Sequence, residues 1–416
     1  MTYMIQRAYR YRIYPSAAQR RLLARDFAAG RFAWNACLAW RSHGYQVHGE
    51  RLSGVDFSRE LTWLKALDPY AWLGMANSAV ITQKLRDLDA AFTAFFAKRA
   101  RYPRFKSRHG AQSARYQLDQ RQVHRMYAPG QLLKLPKVGA LKVRWSRIPD
   151  GVPKMVTVTR DAAGRWFAAF AVEEQIQPLP ATGAALGLDV GVKDVFVTSA
   201  GAKSGNPQKL RRRLRHLKRQ QRALSRKHKG SNRWQRQKAR VARLHAKIAD
   251  SRRDWLHKRS TEIVRGADVI ALEDLHVKGM LRNRRLARSL SDASLGELRR
   301  QIDYKAGWYG RQVLYAGRFT PTSKTCGGCG HVLAELKLST RRWTCPACGA
   351  DHDRDINAAR NILSFATASS AGSGHDARSA WSGKDPTVPV AHAARAVARE
   401  DRSSIGREAR TASGLS

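Results

Sequence analysis

Cys326, Cys329, Cys345 and Cys348 form a C-x2-C-x15-C-x2-C array, and Gly330 and Gly349 follow the two pairs and allow the backbone to turn tightly around a bound ion. That spacing is the pattern of a four-thiolate zinc site, and closed four-cysteine sites are generally structural. Directly behind it, Asp351, Asp353 and Asp355 lead into NAARNIL, an acidic start to a helix whose Ala358 and Ala359 are small enough to pack close against a sheet. Two more carboxylates end apolar runs, Asp189 in ALGLD and Glu273 in VIALE. A lone aspartate at a strand end is often only a turn or cap residue, but ionised carboxylates at that depth are costly unless paired or cation-bound. Asp189, Glu273 and one of the three C-terminal aspartates therefore make a candidate hard-cation site. Oxygen ligands suit Mg²⁺ or Mn²⁺, and two such ions about 3.5 to 4 Å apart can activate water and stabilise the leaving oxygen in phosphodiester hydrolysis.

The rest of the chain is built to hold a polyanion. Its 416 residues carry 77 Lys+Arg against 32 Asp+Glu, a formal charge of +45 that self-repels unless an anionic partner is present. Nucleic acid is the expected partner. A membrane is not, because the apolar stretch WFAAFAV (166–172) falls far short of the roughly 18 residues that span a bilayer. The N-terminus lacks the apolar core of a secretory signal, which points to the cytoplasm, in association with the nucleoid. Cys37, the one cysteine outside the array, reads as a small buried apolar residue.

Several elements must position these groups. Residues 5–14 alternate apolar and basic side chains as a half-buried strand, Pro15 stops it, and Ser16 is placed to cap a helix. Helical patterns follow over 57–67 and 69–96. The loop KRARYPRFKSRHG then sets Tyr102 and Phe105 among Arg104, Lys106 and other basic residues, where rings can stack on bases while cations meet phosphates. From 116 to 174 a period of two, broken by turn residues, suggests a small antiparallel barrel that the first strand joins, with 175–183 as a linker. Residues 209–259 carry 21 Lys/Arg and two Asp on helical spacing interrupted by KGSN, which suggests a basic antiparallel hairpin for a nucleic-acid backbone, with Arg211, Arg212, Arg215, Lys218 and Arg222 as candidate contacts. Residues 365–416 hold too few large apolar side chains to fold and are expected to be disordered.

GLDVGVKD, IALEDL and CPACGADHDRDINAARNIL, together with TSKTCGGCG, YPRFKSR and the N-terminal strand and helices, resemble the TnpB (OrfB) family of insertion-sequence proteins, which is related to the type V CRISPR effectors. The resemblance covers most of the chain. It implies a multidomain α/β protein: an RNase H-like (RuvC) nuclease domain over 184–364 with a basic hairpin (209–259) and a zinc ribbon (321–350) inserted, and a β-barrel from 1–15 and 115–180 with a helical module (16–114) inserted. It also implies catalytic acids at Asp189, Glu273 and Asp355; selecting Asp355 over Asp353 rests on the match to D-I-N. The implied activity is RNA-guided DNA cleavage by a monomer carrying a transposon-derived guide RNA, on duplex targets with a short flanking motif, using structural Zn²⁺ and two catalytic Mg²⁺ or Mn²⁺ ions. The alternatives are a non-cleaving RNA-guided repressor or a transposase accessory protein, and a DDE-type transposase sharing the fold is also open.

Overall fold

The computed structural model describes residues 3–372 apart from 122 and 338, and divides into a unit starting at Met4 and ending at Glu174 and a second one beginning at Gln175. In the first, β1 (Tyr3–Tyr14) leads into α1 (Ala17–His48), whose start is fixed by a reciprocal capping box between Ser16 and Gln19 and whose end is released by Gly49 at φ 69°. Then come α2 (Gly54–Leu64), α3 (Trp72–Met75) and α4 (Ser78–Phe96). The helix expected over 69–96 is therefore broken: Asn77 turns extended and its side chain accepts from Ala79 N, so a new helix begins there. Cys37 is buried on α1, as expected.

Six strands complete this unit: β1, β2 (Gln112–Gln117), β3 (Leu132–Leu135), β4 (Gly139–Arg144), β5 (Met155–Arg160) and β6 (Trp166–Ile176), with the short helix α5 (Val123–Met126) between β2 and β3. Their order is β2-β5-β6-β1-β4-β3. The first strand joins the sheet as expected, and centrally. The expected barrel is not closed, since among the described residues no pairing joins β2 to β3. Leu23 and Phe27 of α1 and Val80 of α4 enter the same core as Tyr116, Leu133 and Phe170, so helices finish the burial that strand closure would have supplied. Buried Asp26 holds helix to sheet, accepting from Tyr116 Oη at 2.6 Å and Asn77 N at 3.1 Å.

The second unit is a mixed sheet, β10-β9-β7-β8, made of β7 (Ala185–Val190), β8 (Phe196–Thr198), β9 (Val269–Glu273) and β10 (Gln312–Ala316). β7, β9 and β10 are parallel and β8 is antiparallel to β7. Between β8 and β9 run α6 (Lys209–Ser225) and α7 (Asn232–Gly266), followed after β9 by α8 (Val277–Met280), α9 (Ala287–Ala293) and α10 (Leu295–Tyr309). The hairpin exists, but 259 is not its boundary. α7 continues to Gly266, and its Leu256, Ile263 and Val264 belong to the core under the sheet.

After β10, β11 (Arg342–Thr344) and β12 (Asp351–Asp353) pair as a two-stranded ribbon, which extends past the expected limit at 350, and α11 (Arg354–Gly372) follows at once. α11 packs against β7 where Gly187 leaves room: a Cβ there would meet Ala359 O at 2.0 Å. Ala358 and Ala359 are buried, so small residues on both sides create the close approach. α11 also runs helical through Gly372, so the disorder expected from 365 does not begin there; the remainder of 365–416 lies outside the described residues. No helix among the described residues is long and apolar enough to cross a membrane.

Candidate active site

Asp189 and Glu273 are brought together by the sheet itself. Leu188 pairs with Leu272 at the end of the parallel β7–β9 ladder, and Asp189 and Glu273 are the next residues on these neighbouring strands, which run about 4.8 Å apart. Asp355 arrives in the first turn of α11, the helix lying on β7. Burial, followed by the negative charges of Glu273 and Asp355, pushes the Asp189 carboxyl up to about 7, while Arg354 and Arg341 partly offset this. Three carboxylates thus share one electrostatic environment. The site is partly tied down by cations and hydroxyls: Arg341 Nη1 lies 3.2 Å from Asp355 Oδ1, and Thr322 Oγ1 is 2.6 Å from Glu273 Oε1. Next to it, Asp274 bridges Arg299 and Arg318 at 2.9 and 2.7 Å.

The three C-terminal aspartates have different tasks. Asp351 accepts from Thr344 Oγ1 across the ribbon. Asp353 is the N-cap of α11: its Oδ1 accepts from Asp355 N at 3.1 Å and Ile356 N at 3.3 Å, and its Oδ2 pairs with Lys203 at 2.7 Å. Both of its oxygens are therefore engaged, and the carboxylate whose charge reaches Asp189 is that of Asp355.

The four cysteine sulfurs lie within 4.8 Å of one another, the one group of three or more such ligands closed to that degree among the described residues. Cys326–Cys348 and Cys329–Cys345 are 3.7 and 3.6 Å apart. A tetrahedral zinc with Zn–S near 2.3 Å requires edges of about 3.8 Å, so the donor set fits that ion closely. Gly328 N points at Cys326 Sγ from 3.4 Å, a donor suited to a thiolate. His352 Nε2 also approaches Cys326 Sγ to 3.0 Å and its ring packs on Trp343.

Basic candidates divide by exposure. Arg211, Arg212, Arg215, Lys218 and Arg222 are all exposed along α6, whose first N–H groups, those of Leu210 and Arg211, are held by buried Asp292. In the 98–110 loop, Tyr102 and Lys106 make contacts within the unit, although Tyr102 is still 44% exposed. Tyr102 bonds Ser42 at 2.7 Å and packs edge-on to Phe92 and Phe95, and the Lys106 ammonium sits 3.2 Å over the Trp34 ring. Arg104 and Phe105 face outward without such contacts holding them, Phe105 at 64% exposure. Sequence reasoning missed Thr322, Arg341, Asn357 and Asn361. A signal existed only for the asparagines, whose i,i+4 spacing in DINAARNIL sets two amides on one helix face.

The OrfB_IS605 family, described as a probable transposase, matches residues 169–284; a Cas12f1-like TNB domain matches 296–362; and an OrfB_IS605 helix-turn-helix domain matches 1–50, where the described residues form β1 and the single long helix α1. A Streptomyces pristinaespiralis protein named "Putative RNA-guided DNA endonuclease" is 43% identical over 373 residues, covering 89% of this chain and 92% of its own. The Escherichia coli K12 relative InsQ, named in the same way, is 35% identical over 379 residues, covering 86% and 91%. A solved Cas12f1–sgRNA–target DNA complex covers 86% of this chain and 99% of its own with a TM-score of 0.53; at 15% identity that likeness speaks for the fold alone. The chain therefore belongs to the TnpB (OrfB) family of insertion-sequence proteins, as its motifs implied.

Proposed function

We propose that the protein is an RNA-guided DNA endonuclease of a transposable element, with Asp189, Glu273 and Asp355 as its catalytic acids. The observation that carries this reading is the position of Asp189 at the end of β7, beside Glu273 and near enough to Asp355 for both charges to act on it. The names of the Streptomyces and Escherichia relatives support the same activity. In this reading residues 184–364 form an RNase H-like nuclease domain carrying the basic hairpin and the ribbon as insertions, and the sheet and helices of the N-terminal unit hold RNA and flanking DNA.

Mg²⁺ or Mn²⁺, held as a pair by the three carboxylates, would supply Lewis acidity to an attacking water and to the leaving oxygen of a phosphodiester. The protein's own part is to hold three negative charges together at the end of a sheet until cations neutralise them. Its exposed α6 arginines and lysine, with Arg104 and Phe105, hold nucleic-acid backbone and bases without reading sequence, which falls to the guide. The zinc ribbon is structural. A non-cleaving RNA-guided binder would need no such cluster of like charge.

Purified with its bound RNA, the protein should yield a defined guide and cut matching duplex DNA in Mg²⁺, and Asp189→Ala should abolish cutting. No defined RNA, or cutting that survives the substitution, overturns this function.

A further inference from the structure

We propose that Thr322 is a positioning residue for Glu273 and the link through which the zinc knuckle sets that carboxylate; this rests on the nuclease reading above. Thr322 is 4% exposed, and its Oγ1 lies 2.6 Å from Glu273 Oε1. An ionised carboxylate only accepts, so the hydroxyl must donate. Glu273 is thereby fixed in orientation, and its second oxygen remains for a cation.

The backbone of Thr322 is tied in turn. Its carbonyl accepts from Asn361 Nδ2 at 2.8 Å, and the same amide reaches Thr325 O at 2.7 Å. Asn357 Nδ2 also donates to Thr325 O at 2.7 Å, while its Oδ1 accepts from Gly327 N at 2.9 Å, next to Cys326. Both asparagines are buried, at 2% and 5% exposure, on the helix whose first turn bears Asp355. One short segment, 322–327, therefore touches Glu273 at one end, the knuckle at the other and the Asp355 helix between. Polar groups at that depth tolerate little slack, because an unpaired partner costs about 1 to 3 kcal/mol. Displacing the knuckle would move Thr322, and with it Glu273.

The test compares Thr322→Val, which keeps the shape and removes the donor, with Thr322→Ser, which restores it. Mn²⁺ binding to the full-length, zinc-loaded protein is measured by calorimetry, with Asp189→Ala defining the acid site. Partners that orient metal-binding carboxylates are typically worth about 10- to 100-fold in affinity, so Thr322→Val should weaken Mn²⁺ by about that factor and Thr322→Ser by no more than about threefold. Zinc content should stay at the wild-type level in both variants, and Thr322→Ser should melt with wild type, while Thr322→Val melts a few degrees lower for the donor it removes. In cleavage assays the valine variant should need more Mn²⁺ for half-maximal rate. Wild-type Mn²⁺ affinity in Thr322→Val, equal losses in both variants, or Mn²⁺ binding that does not depend on Asp189 each overturn the proposal. Should the wild-type protein cut no matched DNA, the nuclease reading falls while the Mn²⁺ comparison still decides the role of Thr322.

Discussion

The four thiolates and the three carboxylates lie in one unit, yet only the thiolates are closed into a cage. Their sulfur separations of 3.6 and 3.7 Å already match the edges of a zinc tetrahedron, and Cys326 and Cys345 are buried with Trp343 in a small core of their own. The carboxylates stand on two strands and a helix, and their neighbours are groups that can exchange, an exposed arginine on Asp355 and a hydroxyl on Glu273. A cage with all positions filled suits a permanent ion; a half-open cluster of like charge suits ions that come and go with substrate. On the proposed function, the difference would give stability to the thiolate site and chemistry to the acids.

The strongest way to break that assignment is to remove one ligand from each. Asp189→Ala is expected to lower cleavage about a thousandfold or more, since metal assistance is worth several kcal/mol, with zinc content unchanged. Cys345→Ser is expected to lose the zinc, lower the melting temperature and slow cleavage by roughly 10- to 100-fold through the displaced 322–327 segment. Zinc analysis, thermal melts and single-turnover cleavage on the same preparations check both. If Cys345→Ser leaves both rate and melting temperature unchanged, the ribbon is neither a scaffold nor linked to the acids.

A sharper form of the comparison lies within the acidic run. Asp355→Asn should approach the loss seen for Asp189→Ala. Asp353→Asn should keep activity within about threefold and cost at most about 1 kcal/mol, because asparagine caps helices as well as aspartate does and the lost Lys203 pair is partly exposed. Parallel cleavage assays and melts of the two variants decide it, and equal losses in both would reverse the roles given to these aspartates.

How far the sequence revealed all this depended on whether spacing or depth carried the information. The cysteine array, the strand-ending acids and the alternation of β1 are local patterns, and each is found where expected. The failures are at edges and closures. Within 69–96, Asn77 is a residue type that caps helices, a local sign of a restart that the apolar spacing masks, and whether six strands close depends on what else fills the core, here Leu23, Phe27 and Val80. Thr322 was invisible for another reason: a threonine between Pro321 and Ser323 has no period, and only the fold brings its hydroxyl to Glu273. Choosing Asp355 over Asp353 was a family match in the sequence; the fold adds that Asp353 is spent on the cap and on Lys203.

The smallest effect concerns the metal-free protein. A filled cage is stabilising, whereas an open acidic cluster without its cations is a cost to the fold, because Asp189 is partly buried beside two like charges. Asp189→Asn keeps the shape and removes the charge. With divalent ions other than the bound zinc withheld, it should melt about 2 to 4 °C above wild type, the shift expected for about 1 kcal/mol in a unit of this size. Added Mg²⁺ or Mn²⁺ should then raise the wild-type melt toward the variant and leave the variant unmoved. A variant that melts below wild type without the ions would mean that Asp189 is satisfied by protein partners alone, and that the two sites differ less than their geometry suggests.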